Sequence, residues 1–311
     1  MGGFEAESQP LLPHVPRSRE TLATATGAVA VLLWAALALL ASGTTRLPPF
    51  QVTGIAFTIA FLLALGKWLA RKEAPLAHFR QPAAAWAVGV GGLFGYHFFY
   101  FLAMQHAPAV EVSLIAYLWP LLIVVLAAFL PGERLGWWHV TGAAMGLLGT
   151  FVLVTGGGGF APRLEYAPGY ALALLCALTW SSYSVLSRRL AAVPTDAVGA
   201  FCLATAALAF LCHFALERWV EPSPGEWASL AALGLGPVGL AFFAWDVGVK
   251  RGNIKALGGL SYAAPLLSTL LLVAAGRAAA TAAVATACLL IVGGAVLSAR
   301  ELWGGAVKAR S

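Results

Sequence analysis

The chain has 311 residues, of which 60% are hydrophobic and 10% charged, with 11 tryptophans and a formal net charge of +6. That is too little polar surface to cover a water-soluble globule. Apolar blocks of about 20 residues suit helices crossing roughly 30 Å of hydrocarbon, whereas barrel strands alternate in units of about ten, so an all-α membrane bundle is expected.

The opening residues carry Glu5, Glu7, Pro10, Pro13, Pro16, Arg17 and Arg19. Residues 1–21 read as a polar tail, not a cleaved signal peptide, because no basic segment leads into a short apolar core. Ala6 stands where a myristoylation pattern wants Ser or Thr, which argues against a lipid anchor. Ten transmembrane helices follow, at Leu22 to Gly43, Phe50 to Ala70, Pro82 to Gln105, Pro108 to Leu130 and Gly136 to Gly156, then Ala167 to Arg188, Thr195 to Leu216, Glu226 to Val249, Asn253 to Ala274 and Ala278 to Leu302. Their connections are short and punctuated by Leu47-Pro48-Pro49, Pro131-Gly132, Gly156 to Gly159, Val193-Pro194 and Pro222 to Gly225. Cys176, Cys202, Cys212 and Cys288 lie within apolar blocks without metal-like spacing; they read as unpaired, buried, small hydrophobes.

Lys and Arg are retained on the cytoplasmic side of a membrane. With the N-terminus inside, the outer loops hold only Arg46, Arg163, Arg218 and Arg277, and the other 15 of the 19 basic residues fall inside. Both termini are therefore expected in the cytoplasm. Topology explains the positive charge, with no nucleic-acid partner needed.

Sliding the chain by 145 residues lays Tyr117 on Tyr262, Pro120 on Pro265, Leu126 on Leu271, Thr141 on Thr286 and Gly149 on Gly294. Trp34 and Trp180 pair one residue off that register. Two five-helix halves are implied, residues 22–160 and 161–303, followed by a second tail at 304–311. Five is odd, so the second half enters the membrane upside down. Inverted repeats can alternate access around a midplane site.

Polar aromatic chemistry concentrates between Tyr96 and Pro120. His97 lies near the middle of the third helix, where an imidazole is costly unless it has partners or lines water. It could simply join two helices by a hydrogen bond; the neighbouring Tyr96 and Tyr100 favour a functional role. Tyr117 and Trp119 precede Pro120, whose missing N–H bends a helix, and Pro265 repeats the device. Trp68, Trp137, Trp138, Trp219, Trp227 and Trp303 fit an interfacial belt. Trp34, Trp119 and Trp180 are central instead, and with the tyrosines they form a candidate aromatic box. Asp246, with Lys250 four residues on, and Glu111 are acidic but close to helix ends, where a structural role is expected. Glu133 is expected at the inner surface, paired with Arg134 or a helix end. Ser181, Ser182, Tyr183 and Ser184 could hold a polar ligand group or satisfy their own backbone. Gly89, Gly91, Gly92 and Gly95 suit close helix packing better than a phosphate loop.

Ten helices, an inverted five-plus-five repeat, the Pro131-Gly132-Glu133-Arg134-Leu135 run and the prolines at 120 and 265 resemble the drug/metabolite transporter superfamily, EamA type. The Gly95 to Gln105 run with Tyr117-Leu118-Trp119-Pro120 is similar, more narrowly, to that group's bacterial exporters of aromatic amino acids. The resemblance implies an aromatic-lined central cavity, here Trp34, Tyr96, His97, Tyr100, Tyr117, Trp119 and Trp180. One departure is Arg277, which stands where the second half would repeat the glutamate of the first.

The expected function is export of aromatic and other neutral hydrophobic amino acids across a bacterial inner membrane by alternating access. A second reading is a proton-coupled exporter of flat organic cations, which an aromatic box would attract, though no clear midplane carboxylate supplies coupling. The lack of a deep Lys or Arg argues against phosphorylated substrates. No metalloprotease, serine hydrolase or paired-aspartate motif points to an enzyme. No cofactor or metal is called for; the partners are the small-molecule substrate and the lipid bilayer, and a monomer is expected to suffice.

Overall fold

The computed structural model describes residues 17–133, 135–159, 163–274, 276 and 279–300, and among these every regular element is helical. Among the described residues, nine helical segments are long and apolar enough to cross a membrane: α1 (Ser18–Ala41), α2 (Pro49–Ala70), α3 (Ala83–Met104), α4 (Ala109–Ala127), α5 (Trp137–Thr155), α6 (Leu164–Arg189), α7 (Ala197–Leu216), α8 (Pro224–Arg251) and α9 (Ile254–Ala274). A shorter apolar helix, α10 (Ala282–Ser298), completes the bundle. The expected tenth helix reaches beyond it into residues outside those described, as do most of both tails and Arg134. Helical structure is already present at Arg17, ahead of the expected start at Leu22, so part of the expected tail is helical.

The bundle is apolar outside as well as inside. Leu62, Phe129, Phe214 and Leu289 are all more than half exposed, which suits a surface solvated by lipid tails. Helices then gain little by burying leucine against leucine, and close approach at small residues decides the packing. α1 crosses α8 where a Cβ on Gly27 would stand 2.9 Å from the Gly248 Cα. α3 meets α7 where a Cβ on Gly89 would fall 2.4 Å from the Phe201 ring. The four α3 glycines are thus partly explained by packing, since Gly92 likewise receives Tyr183 whereas Gly91 faces open space.

Three segments are interrupted beside a proline, and α1 also breaks, at Ala36 between Arg17–Ala35 and Leu37–Ala41, with no proline near. α4 breaks at Tyr117–Leu118, between helices Ala109–Ala116 and Trp119–Ala127. α9 breaks at Tyr262, between Ile254–Ser261 and Ala263–Ala274. A proline clashes with the carbonyl four residues back and gives it no N–H, so the break falls upstream of Pro120 and Pro265. The eighth helix was expected to be continuous, but residues Gly234–Leu240 form a π-helical turn containing Pro237. The wider turn accommodates the ring of Pro237 without a full stop in the helix.

Ionic and capping groups sit at the two ends of the bundle. At the end where α1 begins, the Glu133 carboxylate takes Arg188 at 2.9 Å and Lys255 at 3.0 Å; the expected pairing with Arg134 lies outside the described residues. Asp246 pairs with Lys250 at 2.9 Å and accepts the Thr195 hydroxyl at 2.6 Å, the structural role expected of it. At the other end, Arg46 bonds Glu226. There Glu217 accepts the first N–H groups of α2, from Phe50 and Gln51, while its second partner is buried His213 at 2.8 Å. Trp68, in the last turn of α2, faces inward: it is fully buried and stacked on His78 at 4.3 Å.

Candidate functional site

A cavity of about 180 Å³ lies where the three proline interruptions converge, lined by Trp34 of α1, Tyr96 and His97 of α3, Tyr117 and Trp119 of α4, Trp180 of α6, Pro237, Val238 and Phe242 of α8, and Ala264, Pro265 and Ser268 of α9, with Leu37 at its rim. Each of these three segments delivers a residue beside its break: Tyr117, Pro237 and Pro265. A straight helix would carry the same side chains past the cavity at 1.5 Å per residue. The breaks let the backbone turn away and leave room.

Tryptophans dominate one wall. Trp34 contacts Trp119, Trp180 and Trp245 with ring centroids 6.1, 5.6 and 5.1 Å away, and Trp180 lies over Trp245 at 6.3 Å. The Trp34 edge-on contacts are the arrangement that aromatic quadrupoles prefer. Trp34 is also fixed by its polar edge, since its indole N–H donates to the Pro237 carbonyl at 3.0 Å. Trp245 is pinned in the same way, donating to the Ser184 hydroxyl at 3.1 Å.

His97 is held rigidly. Its Nδ1 donates to the Leu93 carbonyl at 2.7 Å, and its ring stands edge-on to Phe57 at 5.2 Å. Because a carbonyl can only accept, Nδ1 carries the proton, and Nε2 of the neutral ring is an acceptor. The lining residues include no Lys, Arg, Asp or Glu. Polar contact with a ligand therefore falls to His97, the hydroxyls of Tyr96, Tyr117 and Ser268, and exposed backbone.

Of the seven residues expected at the site, six line the cavity. Tyr100 does not: its ring stacks behind Tyr96 at 6.1 Å and its hydroxyl meets Ser113 at 3.4 Å. The α6 hydroxyls also stay out. Ser181 donates to the Ala177 carbonyl and Ser184 to that of Trp180, so both satisfy their own helix. Glu111 lies towards a helix end and accepts the Tyr170 hydroxyl. Sequence reasoning missed Leu37 of α1 and, in α8 and α9, Pro237, Val238, Phe242, Ala264 and Ser268.

The sequence profile of the EamA-like transporter family matches residues 21–155 and again residues 167–300. An aromatic amino acid exporter YddG of Ancylobacter novellus is 57% identical over 252 residues, covering 80% of this chain and 87% of that protein. A second protein of that name, from Salmonella typhimurium, is 28% identical over 269 residues, with the same coverage of 80% and 87%. A solved crystal structure at 56% sequence identity superposes with a TM-score of 0.86, covering 91% of this chain and 99% of the other.

Proposed function

We propose a function from one premise: the chain belongs to the EamA-like transporter family. It is a multi-pass membrane transporter and not an enzyme. Its substrates are aromatic and other neutral hydrophobic amino acids, exported from a bacterial cell across the inner membrane. The observation that carries this reading is the cavity of about 180 Å³, walled by Trp34, Trp119 and Trp180 and free of formally charged side chains. Roughly 150 Å³ suffices for benzene in an apolar protein cavity, whereas drug-sized ligands occupy about 300 Å³ or more. A single aromatic side chain fits, and a drug-sized cation of three or more fused rings is disfavoured. The substrate's ammonium group has tryptophan faces and the His97 Nε2 acceptor to meet, and its carboxylate has the Tyr96, Tyr117 and Ser268 hydroxyls.

The chain works as two inverted halves of five membrane-spanning helices, residues 22–160 and 161–303. Their packing partners exchange under the offset of 145. A Cβ on Gly89 of the first half would meet Phe201, and one on Gly234 of the second would meet Ile59 and the carbonyl of Ala56. Gly89 and Ala56 carry over to Gly234 and Phe201 under that offset. The twofold match to the family profile supports the same division. Both termini face the cytoplasm, so Arg188, Glu133 and Lys255 lie inside and Arg46 and Glu226 outside. A single chain suffices for transport.

Efflux of labelled phenylalanine, tryptophan and alanine from liposomes holding the purified protein tests this reading. Flux should prefer the larger side chains and fall in His97→Ala and Trp119→Ala variants that insert normally. Efflux of flat organic cations with none of the amino acids would overturn it.

A further inference from the structure

Tyr262 stands at the break in α9, fully buried, with its ring in a recess over Gly146, where a Cβ would lie 2.4 Å from it. Its hydroxyl reaches the other broken helix and accepts the Leu121 N–H at 3.2 Å. In an unbroken helix that N–H would bond the carbonyl of Tyr117, four residues back. The break at Tyr117–Leu118 releases it, and an unpartnered N–H away from water is costly. Tyr262 therefore supplies, from the second half, the acceptor that the break in the first half removed.

The offset of 145 carries Tyr117 onto Tyr262 and Leu121 onto Leu266. The mirrored contact would be the Leu266 N–H donated to the Tyr117 hydroxyl, and among the described residues it is not made. Tyr117 lines the cavity instead. Two tyrosines at equivalent positions thus occupy unlike environments, one clasping the opposite helix and the other facing the substrate space.

We infer that Tyr262 and Tyr117 are alternating clasps, a pair of positioning residues for transport. Tyr262 holds broken α4 in the conformation described, and Tyr117 takes the Leu266 N–H in the opposite one. The inference rests on the inverted-repeat, alternating-access reading. One hydrogen bond is exchanged for an equivalent one, so the number of clasped backbone N–H groups is the same in both conformations. The exchange also withdraws the Tyr117 hydroxyl from the cavity, which removes a polar contact from the substrate as access changes. The two clasps are unequal: the residue equivalent to Gly146 is Ile291, so only Tyr262 has a recess prepared for its ring. That inequality favours the conformation described.

The test uses the full chain in liposomes, without substrate, with the four native cysteines replaced by alanine. Spin labels at Leu37→Cys and Leu270→Cys report the separation of α1 and α9 by pulsed electron–electron resonance, and the areas of the two distance populations give their ratio. Tyr262→Phe, which deletes only the hydroxyl, should shift that ratio about fivefold away from the conformation described, the population equivalent of one hydrogen bond. Tyr117→Phe should shift it in the opposite direction, and the double variant should return close to the parent ratio. Equal-sign shifts, or an unchanged ratio in Tyr262→Phe, would overturn the clasp. Phenylalanine efflux measured on the same vesicles separates the two readings: clasp shifts without any efflux would sink the export assignment alone.

Discussion

Trp34 and Pro237, 203 residues apart, are joined by a hydrogen bond of 3.0 Å from the indole N–H to the proline carbonyl. The bond links a cavity wall to the one π-helical turn among the described residues. It also ties the orientation of a tryptophan face in the first half to backbone geometry in the second. An aromatic wall is useful only if its faces are held, because a ring that rotates freely must be ordered by each ligand at an entropic cost.

Trp34→Phe keeps an aromatic ring and removes the donor. Losing one such bond, with its orienting effect, should raise the apparent KM for tryptophan efflux about fivefold, while the variant still inserts. Efflux kinetics in liposomes read this directly. An unchanged KM would show that the neighbouring rings alone fix Trp34.

Gly146 and Gly91 form a matched pair. A Cβ on Gly146 would fall 2.4 Å from the Tyr262 ring, whereas nothing lies within 4 Å of one on Gly91. Gly146→Ala should cost about 1–3 kcal/mol through overpacking, and Gly91→Ala should be neutral or stabilising by up to about 1 kcal/mol from helix propensity. Thermal unfolding in detergent orders the two. Equal midpoints would remove the argument that the Tyr262 recess is tightly filled.

The positions of the helices were legible because apolar blocks and proline punctuation survive as one-dimensional patterns. Pro120 and Pro265 announced their breaks, though each falls a few residues upstream, where the displaced carbonyl is. The first half of the site was legible because Tyr96, His97, Tyr117 and Trp119 are polar aromatics in apolar sequence. In the second half only Trp180 and Pro265 stood out, since Phe242 and Val238 look like ordinary membrane residues. A signal did exist for one of them: the offset of 145 lays His97 on Phe242, and both rings pack on Phe57, at 5.2 and 5.6 Å. The same offset lays Tyr100 on Trp245. Tyr100 was misplaced because sharing a helix with His97 at a three-residue spacing does not fix which side of its neighbour a ring occupies. The partners of Glu133 were hidden for another reason: Arg188 and Lys255 are distant in sequence and meet it only in the folded bundle.

The Glu133 cluster carries a prediction about stability. Arg188 and Lys255 are mostly buried, at 17% and 6% side-chain exposure, and share one carboxylate between the halves. Glu133→Gln takes from both cations the carboxylate they share, which should cost about 3–5 kcal/mol. Glu165→Gln disrupts a pair with Arg163 exposed at 58% and 59%, and should leave the midpoint nearly unchanged. Unfolding of the two variants side by side decides the point. Comparable small losses would mean that water screens the Glu133 cluster despite its burial.

Pro237→Ala should raise stability and impair transport together. Proline withholds an N–H from the Leu233 carbonyl and would collide with it in a regular helix, so the π-helical turn at Gly234–Leu240 is the accommodation. Alanine restores the donor and removes the collision. A proline in a regular helix interior costs up to about 3 kcal/mol, and the turn has already relieved part of that, so a smaller gain is expected. If the turn tightens to a regular helix, the carbonyl that fixes Trp34 and the wall formed by Pro237 and Val238 both move. The expected result is a higher unfolding midpoint in detergent with a raised KM for phenylalanine efflux. A higher midpoint with unchanged transport would show that the turn relieves the proline without shaping the cavity, and the site would then rest on the breaks in α4 and α9 alone.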